Sequence, residues 1–460
     1  SGPAARRPAM NDSPGPSHTL ESSEDGPPSG PAARGALLTV FLTVFIDLLG
    51  FGIVLPVMPR QAEPYLDALG WSPLAAGAAI GVLFSVFSLM QFLLSPLWGR
   101  VSDRIGRRPM LLLSLSGSVV FYALYGYAVT VPTDPVPSPE RAALALGLML
   151  LSRLGAGIAG ASVGTAAAVI ADCTTPENRA RGMALIGIAF GAGFTLGPLI
   201  AYFGLTLFQR QPWGVGALAS LLSLVALLIA IFVFKETRRP GRGTAREFPG
   251  FFRSAAVLRM PLVGRLVLVY FLSIFAFANF EATLARLTES ALRMTDDDNF
   301  LVFAFIGCVL LLAGGMYRPL AKRFDETRLL GVGLVLLILG LAGVGLVAWA
   351  VHVRGAQGEA WVARLFYAAA AVAVAGFAFI NPSVSALVSK TADADRQGEV
   401  LGVNQSFASL GRILGPFAGS LLYAVHASRT LPFAVAVAVL VGVAALVPWR
   451  SDRPALTRRG

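Results

Sequence analysis

Apolar residues along the chain come in runs of about 20, separated by short polar stretches. At 1.5 Å per residue, each run is long enough to cross the ~30 Å hydrocarbon layer of a bilayer as a helix. Twelve such spans are predicted, at 36–58, 76–98, 110–130, 143–170, 183–206, 213–234, 266–287, 299–317, 329–351, 361–388, 400–425 and 431–449. The longest gap, 235–265, holds Lys235 and seven arginines from Arg238 to Arg265, and divides the spans six and six. The expected fold is an all-α membrane protein with twelve transmembrane helices in two six-helix repeats. Residues 1–34 are rich in Pro, Ser, Gly and Ala without apolar periodicity, so a disordered tail is expected there. The halves are then 35–234 and 266–449, joined by the basic linker 235–265 and followed by a tail at 450–460. No short apolar core with a small-residue cleavage site precedes span 1, so no cleaved signal is expected, and Met10 is a candidate start.

An internal echo supports the division. Gly193-Phe-Thr-Leu-Gly197-Pro198 in span 5 recurs as Gly411-Arg-Ile-Leu-Gly415-Pro416 in span 11. Val101-Ser102-Asp103-Arg104 after span 2 is echoed by Leu320-Ala321-Lys322-Arg323 after span 8. Two echoes at almost one offset point to a duplicated half, and paired halves with a site between them near the midplane are a transporter architecture.

Composition and charge narrow the function. Apolar residues make up 55% and charged residues 14%, against roughly 45–50% and 25% in soluble domains. With the N-terminus in the cytoplasm, cytoplasmic segments carry 27 of the 37 lysines and arginines and the opposite face 8, counting Arg286 and Arg364 at the outer ends of their spans. The positive-inside rule then puts both termini in the cytoplasm, with the cell membrane as the expected location. The net charge of +11 is explained by anionic lipid headgroups, which removes nucleic acid as a partner. Cys173, Cys308, His18, His352 and His426 form no metal-ligand pattern. Gly187, Gly191 and Gly193 lie in an apolar helix and make no nucleotide fingerprint. Neither enzyme chemistry nor a cofactor or metal is expected. With no ATP site, uphill transport has to draw on an ion gradient, so the expected partners of a monomeric chain are a small molecule, protons and lipid.

The sharpest motif is Gly99-Arg-Val-Ser-Asp103-Arg104-Ile-Gly106-Arg107-Arg108-Pro109 between spans 2 and 3. Its two glycines allow a tight turn, and one carboxylate among four arginines can latch neighbouring helix ends and be released in another conformation. This segment resembles the signature of the major facilitator superfamily, and the resemblance covers about 36–449. Within that superfamily the chain is most similar to the drug:proton antiporters of the tetracycline-efflux type. The closer match rests on Asp47-x2-Gly50-x-Gly52-x3-Pro56-x2-Pro59, Leu89-Met90-Gln91-Phe92, Arg153-x3-Gly157-x2-Gly160, Ile170-Ala171-Asp172, Gly193/Gly197-Pro198 and Arg396-Gln397-Gly398. The resemblance implies alternating access and proton-coupled export of a small lipophilic compound, cationic or zwitterionic. A metabolite uniporter or symporter is the alternative, and a non-transporting receptor or scaffold a more distant one. The chain departs from the pattern at Ala201-Tyr202, where the family has a Gly pair, and at Phe121, where the third helix of tetracycline antiporters carries an acid. Recognition of a metal-tetracycline complex is therefore not expected, and 30 phenylalanines suit a lipophilic site.

Asp47, Arg153, Glu281 and Arg412 are the charged residues expected deep inside spans, one acid and one base per half. Each costs about 2.5–3.5 kcal/mol at a helix centre on insertion scales. Asp47 aligns with a residue tied to proton coupling in the family and is the leading proton carrier, with Gly50 and Gly52 expected to let span 1 flex. Glu281, beside Asn279, is the second candidate. Arg153 and Arg412 can balance charge or contact substrate, as can Asn279, and Gln91 is expected to bond either substrate or a neighbouring helix. Gly193 and Gly197 lie at i and i+4 on one face, so a neighbouring backbone can approach, and Pro198 allows a bend.

Overall fold

The computed structural model describes residues 31–174, 179–237, 258–391 and 397–447. The expectations for the two tails, for most of the basic linker and for Arg396 fall outside the described residues.

The N-terminal half comprises α1 (Pro31–Val54), α2 (Met58–Ala68), α3 (Pro73–Ile105), α4 (Arg107–Ala128), α5 (Pro139–Ala159), α6 (Val163–Cys173), α7 (Arg179–Leu207) and α8 (Gly214–Val233). The C-terminal half comprises α9 (Pro261–Leu292), α10 (Asp296–Ala321), α11 (Glu326–Arg354), α12 (Ala360–Thr391), α13 (Gln397–Val425) and α14 (Leu431–Leu446). Local chemistry sets several starts. Ser72 and Ser138 cap α3 and α5 ahead of Pro73 and Pro139, and Thr295 and Asp298 form a capping box on α10. Among the described residues, ten helices are long and apolar enough to cross a membrane, and Thr195–Leu207 and Leu431–Leu446 are shorter apolar stretches. With the rest of α7, these account for all twelve spans.

Three expectations change in detail. Span 1 stops at Val54, and the short helix α2 follows, burying Met58, Pro59, Ala62, Tyr65 and Leu66. Span 4 is two helices joined by a 3-10 turn at Gly160–Ser162. Gly99 lies inside α3, so Gly106 alone makes the turn of the signature loop, at φ +112°. That φ is open to glycine and strained for other residues.

Both halves use glycine to bring their first and fifth spans together. A Cβ on Gly193 or Gly197 would lie 2.9 Å from Leu49 N and 2.8 Å from Gly52 C, so α7 packs backbone to backbone on α1. Gly411 and Gly415 do the same for α13 on α9, where a Cβ would lie 2.9 Å from Phe271 O and 2.6 Å from Phe275 O.

Contacts between the halves are concentrated towards one face. Along α3 and α13, Gly77 packs on Ser420 O, Gly81 on the Phe417 backbone, and Ser85 Oγ donates 2.6 Å to Ile413 O. Along α7 and α10, Thr195 Oγ1 donates 3.2 Å to Gly307 O. Further towards the other face, Gly99, Gly314, Gly315 and Gly402 meet nothing within 4 Å of an added Cβ. The hydrogen bonds and close glycine contacts named here draw the halves together towards the face carrying α2, away from the face carrying Gly106.

Candidate functional site

Asp47 lies inside α1 with 2% of its surface exposed. Its carboxylate accepts from Ser118 Oγ of α4 at 3.2 Å and from Ser162 Oγ of the 3-10 turn at 3.0 Å. Two hydroxyl donors suit an ionised carboxylate, since charge-assisted hydrogen bonds are the stronger kind. Tyr122 Oη reaches the Asp47 carbonyl at 3.4 Å. The Tyr122 ring occupies the space beside Gly50, where a Cβ would fall 1.7 Å from its hydroxyl oxygen. In this state α1 runs unbroken through Gly50 and Gly52, one making room for Tyr122 and the other for Gly197.

Arg153 is also 2% exposed, and its guanidinium lies over the Phe87 ring, 4.6 Å from the centroid. Tyr122 interacts electrostatically with both Asp47 and Arg153, so the acid and base of this half share a neighbour. Gln91, where α3 passes from buried to half-buried, donates from Nε2 to Gly160 O at 3.0 Å. Of its two expected roles, the bond to a neighbouring helix is the one observed. Phe121 fills the space over Gly155, so an aromatic ring stands at the third-helix position where tetracycline antiporters carry an acid.

In the C-terminal half Glu281 and Arg412 are both half-buried and close enough to interact electrostatically. Arg412 also donates to Ser409 Oγ at 3.0 Å, and Tyr270 Oη donates to Asn381 Oδ1 at 2.7 Å. Asn279 is fully buried and donates to Pro432 O at 3.3 Å, tying α9 to α14.

At the face carrying α2, ion pairs join the halves. Arg60 of α2, 9% exposed, reaches Asp296 at 2.8 Å and Glu289 at 3.5 Å. Arg286 meets Glu63 at 2.7 Å, and Arg210 pairs with Asp297. Asn299 Nδ2 donates 2.8 Å to Pro56 O, a carbonyl left outside α1 by the break before α2.

At the opposite face, which carries Gly106, the signature loop is tied within its own half. Arg107 holds Asp103 at 2.6 Å and Asp172 at 3.3 Å. Burial pushes the half-buried Asp172 carboxyl above its usual range, against the pull of Arg107. Glu236 accepts from the backbone N–H groups of Arg107 and Arg108 at 2.9 and 3.0 Å, capping α4. Arg108 in turn serves the end of α8, donating 2.8 Å to both Phe234 O and Ile231 O. Sequence reasoning misses Glu236, Ser118 and Ser162. A lone serine in an apolar span, or an acid just past one, is the only signal they give.

Comparisons with known proteins agree with this architecture. The family model described as Major Facilitator Superfamily matches residues 40–363 and 319–460. Major facilitator superfamily domain-containing protein 10 of Mus musculus is 28% identical over 475 residues, covering 94% of this chain and 96% of its own length. Tetracycline resistance protein, class C, of Escherichia coli is 31% identical over 402 residues, with 86% of this chain and 91% of the relative covered. The crystal structure of the human organic anion transporter MFSD10 (TETRAN) superposes at a TM-score of 0.60 and 26% identity, covering 91% of this chain and 100% of that one. A twelve-span fold of two halves, the signature loop and the whole-length match together make this multi-pass membrane protein a secondary transporter, not an enzyme, that belongs to the major facilitator superfamily.

Proposed function

We propose that the chain exports a small lipophilic compound in exchange for protons by alternating access. The face carrying Gly106 is cytoplasmic, and the state described here is open to the cytoplasm and closed outside. Asp47 carries the proton, with Glu281 as the second candidate. The observation that carries this reading is the setting of Asp47: a sealed carboxylate on the helix against which the Gly193/Gly197 motif packs, held by hydroxyls from two other elements. A charge placed there at a cost of about 2.5–3.5 kcal/mol fits a working group better than a packing group.

In this cytoplasm-open state Asp47 is ionised, having released its proton inwards. Closing the inner face and breaking the Arg60 and Arg286 pairs opens the outer face, where Asp47 takes a proton and substrate leaves. Half-buried Glu281 and Arg412 lie where a substrate between the halves can reach them, and Arg153 offsets the buried negative charge of its half. The Phe121 side of the site suits an apolar molecule better than a metal complex.

The compound is cationic or zwitterionic in this reading. An anionic substrate is the second reading, favoured by the half-buried Arg412 and by the likeness to a human organic anion transporter. Growth of a pump-deficient bacterial host on panels of lipophilic cations, zwitterions and anions separates the two. Efflux of the selected compound should stop when a protonophore collapses the proton gradient. Efflux that persists would favour a uniporter.

A further inference from the structure

At the α2 face of the C-terminal half, the ends of α9 and α11 and the connection between α13 and α14 enclose a pocket of about 520 Å³. That volume is ordinary for a small-molecule site. Every residue lining it belongs to this half, and neither Glu281 nor Arg412 is among them. One side of the pocket is apolar, with Leu287, Ala348 and Val351 buried. The other is polar, with His352 from α11, Gln357 from the turn after it and Arg429 from the α13–α14 connection. No carboxylate is among the described residues that line it. The acids nearest in sequence, Glu289 and Glu359, are engaged by Arg60 and by Trp361 Nε1.

The polar side is held in place by neutral partners. Arg429 Nη1 donates 3.4 Å to Tyr423 Oη, and its guanidinium lies 5.3 Å from the Tyr423 ring centroid. These contacts position the positive charge without cancelling it. Arg293 donates 3.2 Å to Gln357 Oε1, which leaves the Gln357 amide nitrogen to donate. Arg293 and Arg429 both have a left-handed backbone, at φ +54°. Glycine is the usual residue in that conformation, and strained backbone of this kind gathers at ligand sites.

We infer that this pocket binds an amphiphilic anion. A carboxylate, sulfonate or phosphate group meets Arg429 and His352, and its apolar body lies on Leu287, Ala348 and Val351. The guanidinium offers a fork of N–H donors suited to such a group and repels cations. The apolar side favours an anion with a hydrocarbon chain over a small hydrated ion. A dissolved organic anion and the headgroup of an anionic lipid share this chemistry. The site is independent of proton coupling, since Asp47 lies in the other half.

Occupancy can be read without any transported compound. The full chain, with Ala427→Cys as its single cysteine in a background without Cys173 and Cys308, is placed in phosphatidylcholine nanodiscs. Ala427 is exposed and lines the pocket, so a bound molecule shields the introduced thiol from N-ethylmaleimide. Octanesulfonate should slow labelling several-fold, while octanol, the same chain without the charge, should leave it unchanged. Arg429→Asn removes the charge but keeps a residue that accepts left-handed backbone, and should abolish the protection. His352→Ala, at an exposed position away from the strained turns, should weaken it. In nanodiscs containing phosphatidylglycerol, slow labelling without octanesulfonate identifies the anion as a lipid headgroup. Fast labelling there, with protection by octanesulfonate, identifies it as a dissolved anion. Equal rates with octanesulfonate, with octanol and in both kinds of nanodisc overturn the inference, as does protection that is undiminished in both variants.

Discussion

Gly197 and Gly415 occupy matching positions in the two repeats and make the same contact, each setting the fifth span of its half against the backbone of the first. In one half the helix so approached carries Asp47, and in the other it carries Glu281. The glycines therefore fix the depth and rotation of the two helices that bear the membrane-embedded acids.

An added methyl at Gly197 or Gly415 meets backbone, which cannot rotate away. Gly197→Ala and Gly415→Ala should each destabilise the chain by about 1–3 kcal/mol, the usual range for overpacking, and slow transport. Gly314→Ala, in open space, should be neutral or slightly stabilising. Thermal unfolding in detergent checks all three, and equal melting temperatures would contradict the account.

The ion pairs at the α2 face join the two halves and, in the proposed orientation, hold the outer side shut. Arg60→Ala removes bonds to Asp296, Glu289 and the Ala285 carbonyl at once. A single cysteine at the buried position Asn299, in a background without Cys173 and Cys308, reports on opening. A membrane-impermeant maleimide should label it slowly on its own and several-fold faster with Arg60→Ala. Unchanged labelling would show that the gate is held elsewhere.

Arg107–Asp172 in one half and Glu326–Lys390 in the other are pairs of reversed polarity at corresponding places in the repeat. Burial raises the Asp172 carboxyl, and Arg107 only partly offsets this. An acid raised on folding contributes stability that is fully present below its unfolded value, about 3.9, and lost as pH rises through the folded value. Between about pH 4 and about pH 8, wild type should therefore lose melting temperature relative to Asp172→Asn. A gain over that range would mean that Arg107 outweighs burial.

In the proposed orientation, drawn from the 27-to-8 division of basic residues, the 235–265 segment is cytoplasmic. Cysteine placed at Gly250 should stay unlabelled by an impermeant reagent added to intact cells and react after permeabilisation. Efficient labelling from outside would reverse the topology.

Much of this was legible in the chain because it is repeated or local. Twelve apolar runs, the Gly193/Gly411 echo and the acids at 47 and 281 need only spacing and hydropathy to be found. What stays hidden depends on tertiary partners. Ser118 and Ser162 look like any serine in an apolar helix until α4 and the 3-10 turn bring both to Asp47. The break at Gly160 carries no proline, and Glu236 shows its role only when α8 ends beside α4. Residue type alone makes Gly50 a hinge candidate, and the room it leaves for Tyr122 shows only in the packing.

Asp47→Asn tests the central claim most directly. It holds the site neutral and close in shape to the acid, so fold and expression should be kept. Uphill efflux of the selected compound, driven by an imposed proton gradient in proteoliposomes, should fall to background, together with substrate-driven proton movement. Glu281→Gln should keep measurable uphill transport. If Asp47→Asn still drives uphill, proton-dependent efflux and Glu281→Gln does not, the proton travels on Glu281 and the assignment of Asp47 is wrong.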